Sequence, residues 1–320
     1  PEGYVNEDVF AYSNHFGDER ALIIYHNKYA AVRGWIRTSV AYSVKTGQGE
    51  GRALVQKTLG EGLALHPDEN YFCIFRDHVT RMEYIRNSKE LCEKGLFVEL
   101  GAYKCRVFID FREVRDTENH QYARLSTELD GRGISSIDEA LRELLLRPIH
   151  APFKELVNTG IFRRLIDMRV SGYDVRIDKE FMDEVESKIT HLAQAVKEFT
   201  HGSGDTGAIA NEIYRELKAL LQIPVLETLF PLPESRRYKS AIKYLKTVIP
   251  DNPFIWGSML AWVILHPLGK LVHETGFDER SRSWIDEWML SKIIKDAICG
   301  LGLDESAGVQ SIAVIKFLTT

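Results

Sequence analysis

The periodicity of this chain changes once, and that change limits what it can fold into. Up to about residue 112, apolar and aromatic residues come in short runs broken by turn signals. From Thr117 onward they recur at three- and four-residue steps, the spacing of one face of an α-helix. Strands followed by helices, without alternation, describe an α+β chain. The expected architecture is an N-terminal antiparallel β-sandwich over 1–115 followed by an irregular all-helical bundle domain over 116–320. At 320 residues, two domains is also the count that length suggests.

In the first part, Val9-Phe10-Ala11-Tyr12 and Arg20 to His26 flank a turn at Gly17-Asp18-Glu19, and Arg33 to Val40 continues the pattern. Gly47-Gln48-Gly49-Glu50-Gly51 reads as a loop, since clustered glycines weaken helix and strand alike. Leu54 to Leu65 fits either a short helix or a strand and turn. Tyr71 to Phe75, Met82 to Arg86, and the segments around Phe97, Glu99 and Lys104 to Phe111 read as strands, with a helical turn over Ser88 to Lys94. Several short strands so spaced favour an antiparallel sandwich or barrel.

In the second part, Ser136-Ile137-Asp138-Glu139 has the form of a capping box. Pro148 and Pro152 punctuate the next segment. The clearest helix starts near Asp178, with Phe181, Val185, Ile189, Leu192, Val196 and Phe199 on one face. Ile209, Ile213, Leu217 and Leu220 make another stripe, and Tyr238, Ile242, Leu245 and Ile249 a third. Phe254 to Leu265, Trp284 to Ile298 and Val309 to Leu318 complete the set, with Gly300 placed for a left-handed cap. No fixed repeat period marks a solenoid.

Composition narrows function by exclusion. A net charge of −5 without basic runs argues against a nucleic-acid binder. The most apolar stretch, Met259 to Leu265, falls far short of the ~18–20 residues of a membrane span and reads as a buried helix. The N-terminus lacks the basic and apolar segments of a signal peptide. The four cysteines, Cys73, Cys92, Cys105 and Cys299, show no zinc or redox spacing and read as buried free thiols of a reducing compartment, with a disulfide among the first three left open. Localisation is therefore expected to be cytoplasmic. Both ends look cut, as in a piece of a larger protein.

No catalytic constellation stands out. Gly202-Ser203-Gly204-Asp205-Thr206-Gly207 matches the dinucleotide fingerprint, but a helix precedes it where a strand is needed, so it reads as a helix–helix loop. His266 and His273, seven apart with Glu274 beside the second, do not have zinc spacing and read as an interfacial pair on one helix face. Trp35, Tyr42, Tyr71 and Tyr84 could form a sugar-stacking platform, although strand aromatics more often fill a core, which is the favoured reading. Trp262, Trp284 and Trp288 likewise read as bundle core. No catalytic residue, metal ligand or cofactor is assigned, and ligand-binding residues stay unassigned.

Asn6 to Asn14 reads N-E-D-V-F-A-Y-S-N, and Gly17 to Asn27 reads G-D-E-R-A-L-I-I-Y-H-N. Together they resemble the segment that follows the catalytic barrel in large bacterial members of the α-amylase family of glycoside hydrolases. Gly95 to Tyr103 is similar to that family's closing strand pair, and Gly131-Arg132-Gly133 with Ser136 to Leu146 to its downstream helical region. The family's barrel holds an Asp nucleophile in a strand reading roughly G-x-R-x-D. Here Phe108-Ile109-Asp110-Phe111-Arg112 has Asp and Arg in the reverse order, so that role is not carried over. The resemblance implies a non-catalytic accessory region of an enzyme acting on α-glucans. Its implied partner is an upstream catalytic barrel of the same polypeptide, with an α-glucan as a second candidate, no nucleic acid and no membrane, and with oligomer formation open. Two rivals stand beside it: a helical protein-interaction module unconnected with carbohydrate, and a complete enzyme of another class with a cleft between its domains.

Overall fold

A computed structural model of the chain describes residues 5–45, 52–168, 178–223, 239–240, 243–244, 252–273 and 275–320. The loop expected over Gly47–Gly51 and the stripe Tyr238, Ile242, Leu245 and Ile249 lie wholly or mostly outside those residues. The fold is α+β, with an antiparallel N-terminal sheet followed by a helical region. It forms two compact units, Pro1–Leu145 and Leu146–Thr320.

The strand-rich unit contains β1 (Val9–Phe16), β2 (Glu19–His26), β3 (Val32–Ile36), β4 (Tyr42–Lys45), β5 (Arg52–Val55), β6 (Tyr71–Asp77), β7 (Glu83–Asn87), β8 (Leu96–Leu100) and β9 (Cys105–Arg115). A five-stranded sheet has the order β1-β2-β9-β6-β7, and β3 pairs with β8, and β4 with β5, in two-stranded ribbons. Short helices α1 (Leu59–Gly62) and α2 (Ser88–Lys94) lie between strands. The segment from Leu54 to Leu65 is thus both of the things it was read as, a strand and then a helical turn whose Thr58–Glu61 capping box satisfies its first amides.

Period-two alternation gives each strand of the large sheet two faces. On the inner face Leu22, Ile24, Phe75 and Phe108 pack with Leu96, Val98 and Leu100 of the β3–β8 ribbon, which makes the second layer of the sandwich. The β9 strand keeps both Phe108 and Phe111 in this core because the ladder shifts register between Ile74 and Arg76, with Asp110 at φ 56°. On the outer face, Phe72, Ile74 and Ile85 are covered by Leu125 and Leu129 of α3 (Gln121–Leu129) and by Ile137 and Leu144 of α4 (Ile137–Leu156). That cover explains why the unit extends to Leu145, past the boundary expected at 115. The residues after β9 are helical, but they seal the sheet.

The helical unit holds the rest of α4, α5 (Thr159–Asp167), α6 (Lys179–Thr200), α7 (Thr206–Leu221), α8 (Pro253–Leu265) with a 3₁₀ turn over His266–Leu271, α9 (Phe277–Glu287), α10 (Leu290–Cys299) and α11 (Glu305–Leu318). Asp178 caps α6 by accepting from the Phe181 amide at 3.1 Å, and Asp205 caps α7 through the amides of Gly207 and Ala208. The stripes of both helices enter one core, which also buries Trp256, Leu260 and Trp284. Phe199 stands at the end of its stripe and is more than one-third exposed.

Three expectations fail here for local reasons. Pro148 and Pro152 do not end α4, which runs through both. Burial of Ile149, Phe153 and Leu156 on one face outweighs the backbone hydrogen bonds that proline removes. Gly300 is right-handed, whereas Gly302, at φ 100°, takes the left-handed position; Gly300 is small because a Cβ there would lie 2.0 Å from Thr159 Oγ1. The apolar stretch is also longer than Met259 to Leu265. Pro253–Leu271 spans 19 residues, long and apolar enough to cross a membrane, yet 67% of its apolar window is buried in the unit.

Candidate functional site

The strand-rich unit carries a groove of about 1010 Å³ between the β3–β8 ribbon and the elements around β7. Its floor is aromatic. Phe75, Tyr84 and Phe108 interlock with ring centroids 5.2–5.9 Å apart. Period two builds its lip: along β8, Leu96, Val98 and Leu100 face the core while Phe97 and Glu99 face out. Antiparallel pairing sets Trp35 of β3 directly across from Phe97. The two rings meet edge to face at 5.3 Å and remain 43% and 39% exposed.

Two arginines line the same space. Arg86 of β7 donates to the carbonyls of Ile85 at 2.8 Å and Gly131 at 2.7 Å, and its guanidinium stands 5.8 Å from the Tyr84 ring centroid. It makes no carboxylate ion pair among the described residues. Burial draws its pKa below the ordinary arginine value, with the charges of Glu90 and Asp130 acting the other way. Arg106 of β9 is bound instead to the buried carboxylate of Asp77 at 2.5 Å, and that bond holds its pKa above the ordinary value. For Asp77, burial by itself would raise the pKa. The Arg106 bond and the Val79 amide at 2.9 Å more than reverse this and hold the carboxyl below its ordinary range.

Acceptors complete the lining. Asp130, at φ 43° the left-handed cap of α3, and Glu99 are exposed and make no ion pair among the described residues. Glu90 is paired with Lys94 at 3.0 Å. Asn87 is committed locally, capping α2 through the Glu90 amide and donating to Glu69 O. The groove thus joins an exposed aromatic pair to a planar donor and two carboxylates that make no ion pair among the described residues.

The structure separates the residues singled out in the sequence. Trp35 is exposed at the groove, against the favoured core reading, because no described residue covers the ribbon's outer face there. Tyr42 is also partly exposed, on the small β4–β5 ribbon. Tyr84 belongs to the core edge and the groove floor, and Tyr71 stacks on His66 at 4.7 Å. The four aromatics therefore do not make one platform. Trp284 and Trp288 stack at 4.0 Å in the helical core, whereas Trp262 stacks on His266 at its edge. His266 bonds Glu216 at 2.6 Å, and His273 lies exposed in the segment after the 3₁₀ turn, so the two do not share a helix face; Glu274 lies outside the described residues. No group of His, Cys, Asp or Glu among the described residues could hold a metal ion.

The Gly202–Gly207 run joins α6 to α7, a helix–helix loop as expected. Its glycines serve close packing: a Cβ on Gly202 would lie 2.2 Å from Leu271 O, and the Gly204 amide donates to that same oxygen at 2.9 Å. All four cysteines are free, but only Cys73 is buried, its thiol pushed up by that burial, and Cys105 is exposed. Asp110 pairs with Arg76 at the β-bulge. In the sequence Arg86, Phe97 and Glu99 read only as strand residues. The last two were marked by alternation with Leu96, Val98 and Leu100, but Arg86 becomes notable only when β7 meets the Gly131 turn.

A second surface feature lies outside the groove. Among the described residues of the strand-rich unit, the cover over the outer face of the large sheet lies on its β6–β7 side. On the other side Phe10 and Tyr12 of β1 stand opposite Tyr25 and Ile23 of β2, with Phe16 farther along. Phe10, Tyr12 and Phe16 are 50%, 59% and 84% exposed. Val107 of β9, opposite Ile23, extends the apolar strip toward the covered half. No family model matches the chain, and no curated protein or solved structure matches it.

Proposed function

We propose that the chain is a non-catalytic accessory region of an α-amylase-family glycoside hydrolase acting on α-glucans in the cytoplasm, and that its sandwich supports the catalytic barrel. The observation that carries this reading is the half-covered sheet. Burial of apolar surface favours association by about 25 cal/mol per Å². A strip with Phe10, Tyr12 and Phe16 beside Ile23 and Tyr25 is therefore the kind of face that a rigid neighbour would close. It lies in the strands that carry the resemblance, which implies a sandwich packed on the flank of the barrel.

The groove supports the same reading through its chemistry. Its exposed side chains present aromatic faces and hydrogen-bonding groups. Purified chain incubated with maltooligosaccharides should release no reducing ends. Turnover by this polypeptide alone would overturn the accessory role. The reading frame upstream of Pro1 supplies an independent check. Eight strand–helix units with acids at strand ends are expected there, and a start codon directly before Pro1 would remove the basis of the proposal.

A further inference from the structure

We infer that the groove of the strand-rich unit binds a neutral oligosaccharide, with one sugar unit stacked on Trp35 at the lip beside Glu99 and other units reached by Arg86 and Asp130 along the groove. The inference rests on the groove's own geometry; only the choice of an α-glucan as first probe rests on the function proposed above.

A hexose presents an apolar C–H face bordered by hydroxyls that both donate and accept. A matching site needs an exposed aromatic face, planar donors and unpaired acceptors within one concavity. Trp35 and Phe97 supply the first and are exposed at the lip. Arg86 supplies the second: two of its N–H groups are fixed on backbone carbonyls, which lock its plane, and the others have no protein acceptor among the described residues. Glu99 and Asp130 supply the third, each without an ion-pair partner among those residues. A volume of about 1010 Å³ admits several sugar units. The mixed charge favours a neutral ligand: the Arg106 charge is compensated by Asp77, the Arg86 charge is opposed by Glu90 and Asp130, and Arg33 stands across from Glu99 on the paired strands.

The test is calorimetric titration of the whole chain with maltoheptaose and, separately, with cellohexaose. Trp35→Ala and Glu99→Ala serve as variants because both side chains are exposed and neither holds the core together. Saturable binding that Trp35→Ala weakens about tenfold, equivalent to 1.4 kcal/mol, and that Glu99→Ala also weakens, is the expected result. Circular dichroism should be unchanged in both variants. Binding of either sugar that is indifferent to Trp35 would place the site elsewhere and overturn the inference, as would absence of binding by both sugars up to their solubility. Trp35-dependent binding of cellohexaose alone would uphold the groove and count against the α-glucan reading. Failure of both sugars would leave the docking face untouched.

Discussion

Replacing Asp77 with asparagine should destabilise the strand-rich unit by about 2 kcal/mol at neutral pH. The carboxylate has no solvent exposure and accepts from Arg106 at 2.5 Å, from the Val79 amide at 2.9 Å and, weakly, from Thr80 at 3.5 Å. Asparagine keeps one acceptor oxygen for the turn but turns a donor toward the guanidinium. Removing one partner of a fully buried pair costs about 3–5 kcal/mol. Arg106 is one-third exposed, so water can take over part of its hydrogen bonding, which brings the expected cost below that range. The Asp77 carboxyl has a folded-state pKa below its unfolded value, so its stabilisation is complete above the unfolded value and lost as pH falls through the folded one. The gap between wild type and Asp77→Asn should therefore be constant from neutrality down to the ordinary carboxylate range and close below it. Native-state hydrogen exchange of β6 and β9 amides reads this unit separately from the helical one. A gap under about 0.5 kcal/mol at neutral pH, the size of an ordinary surface change, would refute the reasoning, and so would a gap that persists in acid.

Gly95 sits at φ 82°, and a Cβ there would meet Ile36 O at 2.0 Å, so Gly95→Ala should cost more than about 2 kcal/mol in urea unfolding of the strand-rich unit. Trp284 is fully buried against Trp288, and Trp284→Ala should lower the stability of the helical unit by about 3–5 kcal/mol while leaving exchange in β6 and β9 unchanged.

The fold was legible because burial imposes a period on each element. The β9 run from Lys104 to Phe111 and the stripe from Phe181 to Val196 declare strand and helix without help from distant residues, and Asp178 marks the helix start through its own side-chain chemistry. What the sequence did not disclose is which faces are covered. Trp35 and Phe75 are both strand aromatics, yet one is exposed and the other buried, since no described layer lies over the outer side of the ribbon while the inner side of the large sheet has one. The same limit hid the reach of the first unit, because α3 and α4 look like bundle helices until Leu125, Leu129 and Ile137 are seen to seal Ile74 and Ile85. Pro148 and Pro152 misled for a related reason: local rules end the helix, and burial of its apolar face carries it through. The groove depends on pairings distant in sequence, Trp35 with Phe97 and Arg86 with Gly131, so its parts were readable singly but not as a site.

Hydroxyl-radical footprinting of Phe10, Tyr12 and Phe16 addresses the docking claim most directly. The labelling would be compared between this chain and the polypeptide encoded when the upstream frame is included. The three side chains should label readily in the chain alone, as their exposure requires, and become strongly protected in the longer protein. Equal labelling in the two would mean that no barrel covers this face, contradicting the proposed role.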